Sequence, residues 1–507
     1  MGGQSSAGVI RLSSPLSAAR LEMACALIGA VVVLLFGLDP RTAVGLATLA
    51  ITFVLLLIRL EAVVYAIVAA TVLLVDGWLG ARPADDLPFR MGIGHLYLME
   101  IPVLLLFLGY VYEWKSTIKE KRSERLFVRT PIDLPLKGWL VAFPIFAVYG
   151  LLLGHPLQDA VGYHEWRCLF IAILFYFLVT TLFRGYSGLR RLWSWFFLLT
   201  TVKAFYSLVL ALSGADPPLP LIFGQGPIGE GPENTLYLFV ALPALAILLF
   251  RVEKNPIWRA ALLFGALTML ADIALSQKRD PQLAVFIGLA VLAWRLPRRE
   301  KIRWATRIAC VALLIAVGGF VKNLSTSTSG IGASLSRYTD VADFIESPSS
   351  SGEAGGTFGF HVFDMIDGWE KIKERPILGQ GFGGQTERNL TLLPFAWGGE
   401  IETGIIHNQY LTLWLKMGIA GPILFVWLVG LFLYLCYRAV PGPPMTIGSA
   451  IVLGFAAALC AEMAMEVWTT GWIANTKTPF VVFLALALSV GFLDIEKSRP
   501  ANYSGSE

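Results

Sequence analysis

A few polar residues set among long apolar runs hold most of the chemistry this sequence can offer. In Gly404-Ile-Ile-His407-Asn408-Gln409-Tyr410-Leu411, a histidine and an asparagine stand side by side where a polar loop gives way to a helix. Histidine exchanges protons near neutral pH, and a helix start presents free N–H groups to an anion. The plainer reading is a polar cap that anchors the helix at a membrane surface. A second element is Ser276-Gln277-Lys278-Arg279-Asp280-Pro281, a turn between two apolar runs. Two adjacent cations with little room for water require an anionic partner, either Asp280, a lipid head group or a ligand phosphate. Asp272 stands seven residues before Arg279, which on a continuous helix places both on one face.

Glu462 and Glu466 form a carboxylate pair at helical i, i+4 spacing inside an apolar run. An acid at mid-bilayer costs about 2.5–3.5 kcal/mol, so such residues face a cavity or a partner. They read as a general base, as partners for a cation, or as a structural ion pair. Glu100 and Lys203 are comparable, and Lys203 suits Glu100 or Asp272 as a partner. The five cysteines all lie in apolar segments without metal-ligand spacing, and the Gly-Gln-Gly turns lack the lysine and strand of a nucleotide loop. The expectation is a site without metal or other cofactor, and no nucleic-acid partner.

The elements that must position these residues are membrane spans. The 507 residues are 56% hydrophobic and 15% charged, against roughly 25% charged in soluble proteins. Apolar runs of spanning or near-spanning length fall at 21–38, 42–58, 62–78, 97–114, 138–154, 168–183, 192–213 and 235–250, then at 260–277, 281–295, 308–321, 419–437, 446–468 and 479–494. The first reads as a span, not a cleaved leader. The fold expected is an all-α polytopic membrane protein with about 12–14 transmembrane helices and one large periplasmic loop carrying an amphipathic helix. Segments 115–137 and 295–307 are basic, whereas the alternate short loops are nearly free of Lys and Arg, which sets N-terminus and C-terminus inside. All five histidines then fall outside.

The long outer loop spans about 322–404. Its first half is Ser/Gly-rich, and its second half, Phe360 to Arg375, carries Val362, Met365, Ile366, Trp369 and Ile372 at a helical period. This predicts an amphipathic helix over the outer face, ending at Pro376 and the turn Gly379-Gln-Gly381-Phe-Gly383-Gly384. The chain divides into a transmembrane bundle over 1–321, the loop and His-Asn segment over 322–418, and transmembrane helices with a tail over 419–507.

The combination of Arg375-Pro376-Ile-Leu-Gly379-Gln-Gly381-Phe-Gly383, His407-Asn408-Gln-Tyr410-Leu411 and Met417-Gly418-Ile-Ala-Gly421 resembles the O-antigen ligase / O-antigen polymerase superfamily of bacterial membrane enzymes. Those show a P-L-x-G-x-G-x-G turn, an H-N-x-Y-L segment and G-x-x-G opening the next span. The Ser276-x-x-Arg279 hairpin is similar to the family's S-x-S-R element with one residue inserted. One departure stands out. The family places an arginine about fifteen residues before the proline, where this chain has His361. Either Arg337 reaches the site from earlier in the loop, or His361 takes the family cation's place.

The resemblance implies a metal-independent, inverting glycosyltransferase in the bacterial inner membrane, its site facing the periplasm. The donor would be a glycan on undecaprenyl diphosphate, drawn from among the membrane lipids. The acceptor would be lipid A-core for a ligase, a growing polysaccharide for an O-antigen or exopolysaccharide polymerase, or a protein hydroxyl or amide. His407, Arg279 and Asn408 are then the catalytic candidates. Lys278, Arg337, His361, Gly379, Gly381 and Tyr410 are the substrate-binding ones, with Asp272, Glu462 and Glu466 in support. A lipid-linked glycan transporter or flippase is the alternative from another class. It should carry its charges at mid-bilayer, whereas here they gather at the outer ends of spans.

Overall fold

The computed structural model describes residues 40–73, 99–120, 126–213, 231–275, 279–303, 353–388, 401–440, 442, 446–474 and 477–498. Almost all of this is helix, because a chain in lipid must satisfy its backbone N–H and C=O groups within each segment. The helices are α1 (Pro40–Ile58), α2 (Leu60–Leu73), α3 (Glu100–Glu120), α4 (Asp133–Leu152), the short α5 (Leu157–Ala160) and α6 (Cys168–Leu182). There follow α7 (Tyr186–Ser213), α8 (Gly231–Leu249), α9 (Pro256–Leu275), α10 (Arg279–Trp294) and α11 (Glu353–Glu374). The last are α12 (Gln409–Met417), α13 (Ala420–Ala439), α14 (Ile447–Met465), the short α15 (Gly471–Ala474) and α16 (Lys477–Ser498). A π-helical turn, Tyr163–Arg167, leads into α6. Two three-residue strands, β1 (Thr386–Arg388) and β2 (Ile401–Thr403), pair antiparallel with Glu387 opposite Glu402.

Among the described residues seven helices are long and apolar enough to cross a membrane: α4, the run 157–182 that includes α6, α7, α9, α13, α14 and α16. Four shorter apolar helices fall in α1, α2, α8 and α10. The apolar runs at 21–38 and 308–321 lie outside the described residues; each of the others falls on a helix. The chain is therefore an all-α polytopic membrane protein.

Two compact units divide it. One comprises residues 1–68 and 77–126, where α1 packs on α3. The other comprises 69–76 and 127–507 and contains every element discussed below. In this second unit α14 is the central post, packed against α8, α10 and α16. Its face is small and apolar, which allows close approach: a Cβ at Gly454 would lie 2.2 Å from the Pro243 Cα of α8. The amphipathic helix is longer than the periodicity suggests, starting at Glu353 instead of Phe360.

Candidate active site

Helix α11 is held by its inner face. Ile372, Ile406 and Leu415 form a buried cluster, with Met365, Leu411 and Trp414 packed against it. This seats α11 across the entry to α12 and brings Asp364, only 2% exposed, beneath His407. One oxygen of Asp364, Oδ2, accepts both the backbone N–H of His407 at 2.6 Å and its ring Nδ1 at 2.8 Å. A carboxylate oxygen that already accepts one N–H takes the Nδ1 proton as well, which fixes the orientation of the ring. The His407 side chain is about one-third exposed, at 36%. His361 lies one turn before Asp364 on α11, and its ring stands edge-on to that of His407 with centroids 4.5 Å apart.

Asn408 caps α12. Its Oδ1 accepts the Leu411 N–H at 2.9 Å, which satisfies one of the free donors of the first turn. Its Nδ2 donates to the Val467 carbonyl at 2.9 Å, and the Gln409 N–H donates to the Glu466 carbonyl at 2.9 Å. The Tyr410 hydroxyl donates to the Met463 carbonyl at 3.1 Å, and Thr470 Oγ1 bonds the Ile406 carbonyl. Burial, with the nearby Glu466 carboxylate, pushes the Tyr410 phenol above its ordinary value, so it stays a donor. The His-Asn corner is thereby bolted to the end of α14.

The glycine-rich turn supplies the floor. The Gln380 N–H donates to the Leu415 carbonyl at 2.6 Å, the Phe382 N–H to the Phe146 carbonyl at 3.2 Å, and the Gly383 N–H to Glu165 Oε2 at 3.1 Å. His155 Nε2 bonds the Gln380 carbonyl at 2.9 Å. Gly379 and Gly381 have φ of 70° and 74°, and a Cβ at either would strike backbone, Gly418 N at 2.4 Å and Gly150 Cα at 2.5 Å. Both are buried. In the described structure their role is the close crossing of two chains. Lys416, fully buried, donates to Glu165 Oε1 and to the Gly384 carbonyl, each at 2.7 Å. That ion pair ties the turn to the π-helical segment.

Beyond the corner, Glu462 accepts the Thr235 hydroxyl at 3.0 Å and Glu466 accepts the Gly471 N–H at 2.9 Å. Neither is in an ion pair among the described residues. Asp280, in the first turn of α10, is close enough for its charge to act on both. The start of α10 and the start of α12 thus meet the same end of α14. Arg279 opens α10, its side chain outside the described part, and Lys278 and Arg337 lie outside the described residues. Residues 276–278, between α9 and α10, lie outside the described residues, and so does the expected shared face of Asp272 and Arg279. Asp272 bonds Ser207 Oγ at 3.1 Å.

Lys203 lies close enough to Asp272 to act on its charge, as the sequence suggests, but forms its ion pair with another acid. Its partner is Glu233 Oε1 at 3.0 Å, which Lys477 shares at 2.5 Å. A carboxylate between two lysines joins α7, α8 and α16 across three distant stretches of chain, a pairing that no sequence spacing encodes. Asp364, Glu165 and Lys416 were also not singled out by sequence. For Asp364 a signal exists: with Gly368 and Ile372 it forms an i, i+4, i+8 row on the inner face of α11, and an acid there needs a buried donor. Among the described residues no group of three or more His, Cys, Asp or Glu side chains is arranged to hold a metal ion.

Fold and site together define a polytopic helical membrane protein with a histidine–carboxylate corner where a loop-borne helix meets the bundle. Residues 264–426 match the family model described as O-antigen ligase. The match is less than half of the chain, yet it runs from α9 into α13 and contains Arg279, His361, Asp364, the glycine turn and His407-Asn408. The chain resembles the O-antigen ligase/O-antigen polymerase superfamily, and the match supports a glycan-processing function of ligase or polymerase type. No curated protein matches the chain.

Proposed function

We propose that the protein is an O-antigen ligase-like glycosyltransferase of the bacterial inner membrane, moving a glycan from undecaprenyl diphosphate to an acceptor hydroxyl on the periplasmic face. The observation that carries this reading is the bond from His407 Nδ1 to buried Asp364, which orients a partly exposed imidazole and makes Nε2 the candidate base. The acceptor hydroxyl attacks the anomeric carbon of the donor and gives its proton to Nε2. The bond from that carbon to the diphosphate oxygen breaks, and the electron pair leaves with the diphosphate. Attack opposite the leaving group inverts the anomeric centre.

The developing charge on the diphosphate needs fixed cations, and Lys278, Arg279 and Arg337 are the candidates. No metal is invoked. His361, edge-on to His407, stands where the family carries its loop arginine. Asn408 fixes the start of α12, and Tyr410 fixes its first turn to α14. The acceptor is lipid A-core in a ligase and the growing glycan in a polymerase.

The test is glycan display by cells carrying His407→Ala or Arg279→Ala, with membrane abundance of each variant measured. Loss of surface glycan with accumulation of carrier-linked glycan is the expected result. Full-length chains left on the carrier define a ligase, and single repeat units define a polymerase. Normal display from both well-expressed variants would refute the enzyme and favour transport.

A further inference from the structure

We infer that the second apolar edge of α11 and the turn that follows it are set into the membrane surface, so that the helix carrying Asp364 is positioned by lipid as well as by protein. The inner face of α11 is already occupied by Ile406 and Leu415. Ile366 and Trp369 nevertheless point elsewhere and are 49% and 42% exposed; Ile377 and Leu378 of the turn are 72% and 53% exposed. Four large apolar side chains on one short stretch form a patch that an aqueous surface does not favour.

What covers them follows from continuity. The Ile419 N–H donates to the Ile377 carbonyl at 3.3 Å, which seats the turn at the head of α13. Ile419 and Ile423 are 47% and 56% exposed and lie one turn apart on the same side of α13, a helix apolar enough to span. The lipid-facing stripe of α13 therefore runs upward into Ile377 and Leu378. Trp414 then links the turn to α11, its indole N–H donating to the Pro376 carbonyl at 2.7 Å and its ring packing edge-on to Trp369 at 5.6 Å. Lys373, seven residues after Ile366 and four after Trp369, shares this edge and pairs with Glu370 at 2.6 Å, so its aliphatic stem can lie along lipid while its head reaches water. An amphipathic helix whose outer edge carries tryptophan, an aliphatic residue and a long-stemmed lysine is the chemistry of an interfacial anchor.

The test uses the full chain with its five cysteines replaced by alanine and a single new cysteine at Ile366, Leu378, Ile423 or Glu374. Each variant, checked for abundance and monodispersity, is labelled with an environment-sensitive fluorophore and reconstituted in phosphatidylethanolamine–phosphatidylglycerol vesicles. Quenching by lipid-attached nitroxide is compared with quenching by aqueous iodide. The inference predicts that Ile366→Cys and Leu378→Cys follow Ile423→Cys, with lipid quenching at least about twofold that of Glu374→Cys. Should Ile366→Cys fail to fold, Leu378→Cys carries the same prediction. Iodide quenching at 366 and 378 equal to that at 374 would overturn it. Shielding from both quenchers would overturn it in favour of a protein partner or a second copy. Absence of lipid quenching at 423 would overturn it together with the reading of α13 as a span.

Discussion

Asp364 Oδ2 lies 2.8 Å from His407 Nδ1 and also holds the backbone N–H of the same residue. A single carboxylate oxygen therefore fixes both the position of the histidine and the tautomer of its ring. Asp364→Asn keeps the volume and one acceptor but weakens the hold on the Nδ1 proton. Glycan transfer per molecule of enzyme should fall about 10- to 100-fold, a part of the 10²–10⁴ that a general base supplies. Membrane abundance should change little, and transfer at wild-type rates would show that the tautomer is not in use.

The Lys416–Glu165 pair predicts a stability effect separate from catalysis. Lys416 is fully buried and Glu165 nearly so, at 15% side-chain exposure. Lys416→Met leaves Glu165 with the Gly383 N–H alone, at a cost on the order of 3 kcal/mol. Adding Glu165→Gln should restore part of that loss. Thermal unfolding of the detergent-solubilised protein measures both, and an additive pair would argue against the coupling.

Gly418 and Gly430 offer a matched contrast on neighbouring stretches. At Gly418, φ is 56° and a Cβ would lie 1.9 Å from the Ile377 carbonyl oxygen; at Gly430, within α13, nothing lies within 4 Å. Gly418→Ala should cost more than the roughly 1–3 kcal/mol of that glycine-favouring backbone conformation alone and lower membrane abundance. Gly430→Ala should change stability by less than about 1 kcal/mol. Equal abundance of the two variants would contradict the crossing at Ile377.

Glu233 accepts two lysines, and all three side chains are at least nine-tenths buried. Glu233→Gln strands both cations and should cost at least the roughly 3–5 kcal/mol of a broken buried pair. Lys203→Met leaves Glu233 with Lys477 and should cost less. A larger loss from Lys203→Met, read by the same unfolding measurement, would reverse the assignment of Glu233 as the hub.

The spans were legible in the sequence because bilayer thickness fixes the length of an apolar run, and nothing else in the chain competes with that signal. The amphipathic helix was legible for the same kind of reason, since Val362, Met365, Ile366, Trp369 and Ile372 keep a helical period. Its first turns were not: Gly355, Gly356 and Gly359 are weak helix formers and read as loop. The His-Asn corner stood out as a motif, but its chemistry did not, because Asp364 sits 43 residues away in sequence and reaches His407 only through the packing of Ile372 on Ile406 and Leu415. The ion pair of Lys203 with Glu233 is hidden for a related reason. Helix spacing identifies neighbours within a helix, while Glu233 and Lys477 arrive from other helices.

The central claim is that His407 accepts the acceptor's proton. The most direct measurement is glycan transfer by the purified protein in vesicles, using a synthetic polyprenyl-diphosphate-linked donor and comparing wild type with His407→Ala at equal folded protein. The account predicts a rate lower by about 10²–10⁴ in the variant, with the donor still bound. A rate within twofold or so of wild type would contradict it, since a base supplying that much could not then be the residue at 407.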